Sequence, residues 1–151
     1  MATLTSSAAG SAQPAFKAVG SGILCAAYGH VDATTSLATN DVVQLCRVPA
    51  GAVILGGFLR MEDLDSNATE TIDIDVGTSA DTDAFGNFGV QTGDAVTGYL
   101  PEGGVLLPLH GTLKDGPVSV SAETVVQLTV VAGAATAAAG TITCVVHYVC
   151  P

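Results

Sequence analysis

Residues 71–76 (TIDIDV) alternate between polar and apolar side chains. Ile72, Ile74 and Val76 share one face of an extended chain, and Thr71, Asp73 and Asp75 share the other. A helix would gather every third or fourth residue instead, so the pattern specifies a half-buried antiparallel strand. The chain before it has the same character. Residues 42–48 are apolar and rich in β-branched side chains, Pro49-Ala50-Gly51 makes a turn, and residues 53–64 are a second long apolar run. Asp65-Ser66-Asn67 makes a polar turn. This order of strands and turns predicts a β-meander over residues 41–77.

Strand signals continue on both sides. Residues 23–31 read as the first strand of the domain, with Gly29 marking a bulge or a close backbone approach. Residues 78–94 read as a loop. One helical turn is expected at 80–85 with Ser79 as its N-cap, and Phe85 and Phe88 plug the open end of the core. Further strands are expected at 95–100, at 105–109 (an edge, because of Pro108) and at 118–121. Residues 124–132 and 140–150 read as a final pair. Both faces of that pair are apolar, which makes the strands central or covered by a subunit. About eight strands, turn signals every 8–12 residues and no long helix predict an all-β fold. The expected architecture is an antiparallel β-sandwich of jelly-roll type over residues 23–151.

The chain has 151 residues, enough for one domain with one core. Only 12% of them are charged, against about 25% in ordinary globular proteins. Such a weakly charged surface suits a chain covered by neighbours in an assembly. The net charge of −10 argues against direct nucleic-acid contact and against anionic membranes. No run reaches the roughly 18 apolar residues of a membrane-spanning helix, and no secretory signal is evident.

The chemistry-bearing residues do not assemble into a catalytic motif, and the chain reads as no enzyme. Eight of the fourteen acids lie between Glu62 and Asp83. Asp63, Asp65 and Asn67 begin like a calcium loop. Ala68 stands where that loop needs Gly, however, and Ile74 stands where it needs Glu. A looser cation site on Asp63, Asp65, Asp73 or Asp75 is the sharper reading, and a solvated acidic rim the plainer one. Asp73 and Asp75 share a strand face at a glycosidase-like separation, but without Trp the chain lacks a sugar platform. His30, His110 and His147 have no metal-pair spacing. Cys25, Cys46, Cys144 and Cys150 lack a Cys-x-x-Cys pair and read as reduced, buried thiols. The alternative for them is a late disulfide, with Cys150 reaching a neighbouring chain. No cofactor is expected.

Residues 1–22 form a Ser/Ala/Gly arm that cannot bury enough apolar surface to order itself. Leu4, Pro14, Phe16 and Val19 are its candidate anchors on a partner. The segment DVVQLCRVPAGAVILGGFLRMEDLDSNATETIDIDVG resembles the central part of head decoration (cement) proteins and related capsid-associated β-sandwich proteins of tailed bacteriophages. GTITCVVHYV resembles their final strand. The resemblance covers roughly residues 40–77 and 124–149; the arm and the cysteines lie outside it. It implies a virion protein, made in the host cytoplasm, that sits on the capsid exterior and bridges capsomers. Its partners would be the major capsid protein and other copies of itself, as a homotrimer. Other implied roles are a head-fibre base, a tail protein or a capsid subunit. A carbohydrate- or cation-binding sandwich is the reading from a different class.

Overall fold

The computed structural model describes residues 1–10, 15, 22–34, 36–67, 71–89 and 105–150. Among them the strands are β1 (Thr3–Thr5), β2 (Leu24–Ala33), β3 (Val42–Val48), β4 (Val53–Met61), β5 (Asp73–Gly77) and β6 (Gly86–Gly89). They continue with β7 (Val105–Pro108), β8 (Val118–Ser119), β9 (Thr124–Ala132) and β10 (Gly140–Val149). One short 3-10 helix, Gly111–Asp115, precedes β8.

The pairing is nested. Strand β2 pairs antiparallel with β10, β3 with β9, β4 with β7 and β5 with β6. The chain therefore runs out along one side of a long hairpin and back along the other. Two further antiparallel pairings, β10 with β4 and β9 with β5, roll the hairpin into two layers. One sheet has the order β1-β3-β9-β5-β6 and the other β2-β10-β4-β7, with β8 on β4. We call them the β9 sheet and the β10 sheet after their central strands. This is the expected jelly roll. Its ten described strands include two that were not expected: β1, which adds in parallel to β3, and β6, which pairs with β5.

The pairing departs from the sequence reading in two places. Strands β3, β4 and β5 do not form a meander, because the chain crosses from one sheet to the other at each turn. At the first crossing Gly51 has φ of 80° and donates to the Val120 carbonyl at 2.8 Å, so the turn is fixed against the end of β8 rather than closing a hairpin. Strands β9 and β10 likewise lie in different sheets, each at its centre. The expected helical turn at 80–85 is a non-helical turn. Its cap is Thr78, whose hydroxyl accepts the N–H groups of Ala80 and Asp81 at 3.2 Å each, not Ser79. Part of the expected 78–94 loop is strand β6. The expected strand at 95–100 lies outside the described residues.

The core fills the space between the inward faces. Ile74, Leu128 and Val130 from one sheet meet Ile54, Ile142 and Tyr148 from the other, all fully buried. Truncating such a residue to Ala costs about 2–5 kcal/mol. Phe85 and Phe88 are buried as expected, and Phe88 packs edge-on against His110 with ring centres 4.7 Å apart. At Gly29 the two sheets pinch together. A Cβ there would sit 1.9 Å from the Leu45 carbonyl oxygen, so only glycine permits the approach.

That carbonyl belongs to a bulge. The register of β3 on β9 shifts between Gln44 and Cys46, so Leu45 is the extra residue. The Ser6 hydroxyl donates to its oxygen, and Ser6 N–H donates to the Gln44 carbonyl at 2.9 Å. Ala2 N donates to Asp41 at 2.5 Å, and Arg47 Nε donates to the Ala9 carbonyl at 2.7 Å. Residues 1–10 are thus fastened along β3 of their own domain.

Candidate interface on the outer face of the β10 sheet

On each strand the residues between the core positions point outward, and the ladder aligns them in rows. Across β2, β10 and β4 of the β10 sheet one row is Leu24, Val149 and Val53. The next is Ala26, His147 and Gly56, where a register shift next to His147 leaves Leu55 bulged and exposed. Then come Tyr28, Val145 and Phe58, with Pro108 beyond, and after them His30, Thr143 and Arg60, with Leu106 beyond. Leu24 is 63% exposed, Leu106 62% and Tyr28 56%; Ile23 stands beside Leu24 and is also exposed. A monomer gains nothing by displaying such a contiguous apolar sheet face, and patches of this kind mark sites of association.

Charge is scarce on this face. Asp32 is the one acid among its described outward strand positions, and it pairs with His30 Nε2 at 3.0 Å; Glu62, exposed just past β4, accepts the Thr141 N–H at 2.8 Å at the same end of the sheet. His30 Nδ1 lies 3.2 Å from the Thr143 hydroxyl. Arg60 is exposed and has no carboxylate partner among the described residues, whereas Arg47 is paired with Glu123 and Lys114 with Asp115.

The outer face of the β9 sheet is the reverse. Its rows bring Thr5 beside Gln44 and Gln127, and Val42 beside Thr129, Asp75 and Asn87. Asn87 Nδ2 donates to Asp75 at 2.7 Å. Burial, and then the charge of Asp75, pushes the Asp73 carboxyl above its usual range. Burial also raises Asp75; the Asn87 hydrogen bond opposes this and the charge of Asp83 adds to it. Asp81 is raised chiefly by its hydrogen bond with Asp83. Asp73 Oδ1 and Thr129 Oγ1 are buried without a hydrogen-bond partner. The carboxylates of this layer are therefore crowded.

Asp65 behaves differently from the rest of the acidic run, and sequence reasoning missed it. It is only 1% exposed. Its carboxylate accepts backbone N–H bonds from Asn67 at 3.3 Å, Thr71 at 2.8 Å, Ala135 at 2.9 Å and Thr136 at 2.8 Å. Burial alone would raise its pKa, but these donors outweigh it and bring the value down to about 2. Asp65 is thus neither a cation ligand nor part of a solvated rim. It ties the β4–β5 corner to the β9–β10 corner. The usable signal was the Asp-Ser-Asn turn, in which Asp accepts the N–H two residues on. Asp41 is a smaller version. The Ala2 and Ala38 N–H groups hold its carboxyl below the usual range.

Of the four candidate arm residues, Leu4 lies in β1 and packs against the core of its own domain. Pro14, Phe16 and Val19 lie outside the described residues. No group of three or more metal-ligating side chains occurs among the described residues. No helix among them is long and apolar enough to cross a membrane. All four cysteines are buried and unpaired by disulfide. Its hydrogen bond with Cys46, together with burial, holds the Cys144 thiol well above its ordinary value. Cys150 is closed off from a neighbouring chain in this fold.

Comparison with known proteins places this architecture. No family profile matches the chain, and no curated protein matches it. Solved structures do. A chain of the cyanophage Pam1 capsid asymmetric unit is 30% identical, with a TM-score of 0.69 over 96% of this chain and 99% of that one. A chain of the Ralstonia phage GP4 capsid gives a TM-score of 0.76 at 21% identity, over 99% of both chains. A chain of the acid-stable capsid of Helicobacter pylori bacteriophage KHP30 gives 0.54 at 16% identity, over 86% of this chain and 90% of that one. The last two likenesses concern the fold.

Proposed function

Because this chain belongs to the family of the phage capsid protein found in Pam1, and so to the structural proteins of virions, we propose that it decorates and cements the capsid exterior. The observation that carries this reading is the acid-poor, apolar outer face of the β10 sheet on a chain of net charge −10. The work is mechanical. Each copy covers a joint between capsomers and buries apolar surface worth about 25 cal/mol per Å². Repetition around the shell adds avidity, so that modest single contacts hold against the pressure of packaged DNA. The acidic remainder faces solvent and keeps particles apart.

The N-terminal segment contributes a second contact. Leu4 is occupied by its own core, which leaves Pro14, Phe16 and Val19 as anchors for the major capsid protein.

The test is reconstitution. Purified protein added to particles lacking it should co-sediment with them, at a copy number on the order of hundreds set by shell symmetry. Such particles should also retain DNA to a higher temperature. A dozen copies or fewer per particle points to a fibre base or tail component instead. Absence of binding removes the decoration reading.

A further inference from the structure

The bulge in β3 re-aims a cysteine. Val43 and Leu45 point into the core, so strict alternation would turn Cys46 outward. The extra residue at Leu45 turns Cys46 inward as well, and both are fully buried. Facing Cys46 from the other sheet is Cys144 of β10, also fully buried, and the two thiols share a hydrogen bond. The backbone brings them together. Cys144 stands beside Gly29 in the ladder, and Gly29 is where the sheets pinch against Leu45, the residue before Cys46. Cα atoms of β3 come within 8 Å of Cα atoms on both β2 and β10. Packed sheets ordinarily stand about 10 Å apart, too far for a disulfide, whose Cα atoms lie about 4.4–6.8 Å apart. The other two cysteines are placed elsewhere. Cys25 stands beside Tyr148, roughly 13 Å along β10 from Cys144 by strand rise, and its thiol donates to the Ile23 carbonyl at 3.6 Å. Cys150 follows the end of β10 on the same side as Cys25.

We propose that Cys46 and Cys144 are a redox-closable clasp between the two sheets: two thiols in a reducing cytosol, and one disulfide once the particle meets an oxidant such as a peroxide. The inference goes beyond the decoration reading and needs only a virion protein. The chemistry balances. One thiolate attacks a peroxide oxygen, breaking the O–O bond and giving a sulfenic acid and one water. The second sulfur displaces the sulfenic hydroxyl, forming the S–S bond and releasing a second water; both thiol protons end in water. Burial and the shared hydrogen bond hold the Cys144 thiol well above its ordinary value, so little thiolate forms and closure waits on local openings of the core. Slow closure leaves the chain time to fold and assemble before its layers are locked. The bond would then span roughly a hundred residues of chain, and long loops are those whose closure most restricts the unfolded state.

The test oxidises the full chain, purified under reductant, with hydrogen peroxide. Free thiols are then blocked in denaturant and the digested chain is mapped by mass spectrometry. The Cys46 and Cys144 peptides should be joined, the chain lighter by two hydrogens, and Cys25 and Cys150 still blockable. The melting temperature should rise by at least about 5 °C and fall back with reductant. Cys25→Ala should keep both effects, and Cys144→Ala should lose both; the wild-type peptide map decides the matter even if a variant fails to fold. Particles recovered without reductant, with their thiols blocked on disassembly, should carry the same joined peptides. Four results overturn the proposal: no joined peptide in the wild type, a link through Cys25 or Cys150 instead, a linked chain that melts no higher, or particles whose Cys46 and Cys144 remain blockable. None of them bears on where the chain sits on the particle, so the decoration reading stands or falls separately.

Discussion

On the β9 sheet the outward positions read Thr5, Gln44, Gln127, Thr129 and Asp75; on the β10 sheet they read Leu24, Tyr28, Val145, Phe58 and Leu106. The strand geometry is the same in both, and the chain alternates between the two sheets as it proceeds. The contrast therefore owes nothing to local composition of one half of the sequence. It was placed residue by residue, at every second position of strands that are far apart in the chain. One layer gathers carboxylates until burial and mutual repulsion raise their pKa values. The other keeps its few carboxylates at one end, where Asp32 and Glu62 stand, and leaves apolar side chains in water. The first arrangement suits a surface that stays wet, and the second suits one that is covered.

The contrast can be broken at several points. The largest effect is expected at Asp65, the acid that is fully satisfied. Asp65→Ala strands four backbone donors and should destabilise the fold by about 3 kcal/mol, read from urea unfolding. A loss near zero would mean that this corner is not held by the carboxylate.

The faces themselves are compared by a matched pair. Leu24→Asp on the apolar face should weaken attachment to particles by at least about tenfold, or about 1.4 kcal/mol. Val131→Asp, also at an exposed site but on the β9 sheet, should leave attachment within about twofold. Equal losses would erase the distinction between the faces.

The pH response should have two limbs of opposite sign. Asp73, Asp75 and Asp81 have raised folded-state values, so they bind protons more readily folded than unfolded. Stability should therefore rise as pH falls from neutrality towards the ordinary carboxylate range. Asp65 is depressed from 3.8 to about 2, and Asp41 is also lowered. Their contribution is complete above the unfolded value and disappears as pH falls through the folded one. Replacing Asp73 by Asn should flatten the first limb and leave the second intact.

The smallest effect is expected at Thr129. Its buried hydroxyl has no partner, so Thr129→Val should be neutral or stabilising by up to about 1 kcal/mol. A clear loss of stability would show that the polar face depends on that hydroxyl.

The strands were readable from periodicity. Val42–Val48 and Thr124–Ala132 occupy the residues expected of them, and Pro108 marks an edge strand as its missing N–H requires. Partners were not readable. A turn such as Pro49-Ala50-Gly51 looks the same whether the chain folds back beside its own strand or crosses to the facing sheet. Only long-range packing decides which. The doubly apolar character of β10 was visible and pointed to a central or covered strand; it proves central in its sheet, and its outward face is the candidate interface. The burial of Asp65 was hidden because its four donors come from two segments some seventy residues apart. Asp63, Asp65 and Asn67 taken alone look like ordinary solvated polar residues. The fastening of residues 1–10 to β3 was hidden for a related reason. Its anchors are backbone groups, a bulge carbonyl and Asp41, none of which shows in a hydrophobic pattern.

Strand β10 lies at the middle of the apolar face, yet it is the latest of these strands to leave the ribosome. Until it inserts between β2 and β4, those two strands are not neighbours, and the continuous apolar face does not exist. Closing pairs more than a hundred residues apart makes for slow folding. A growing or truncated chain therefore lacks this continuous apolar face, which is complete only once synthesis has passed the last strand needed to build it.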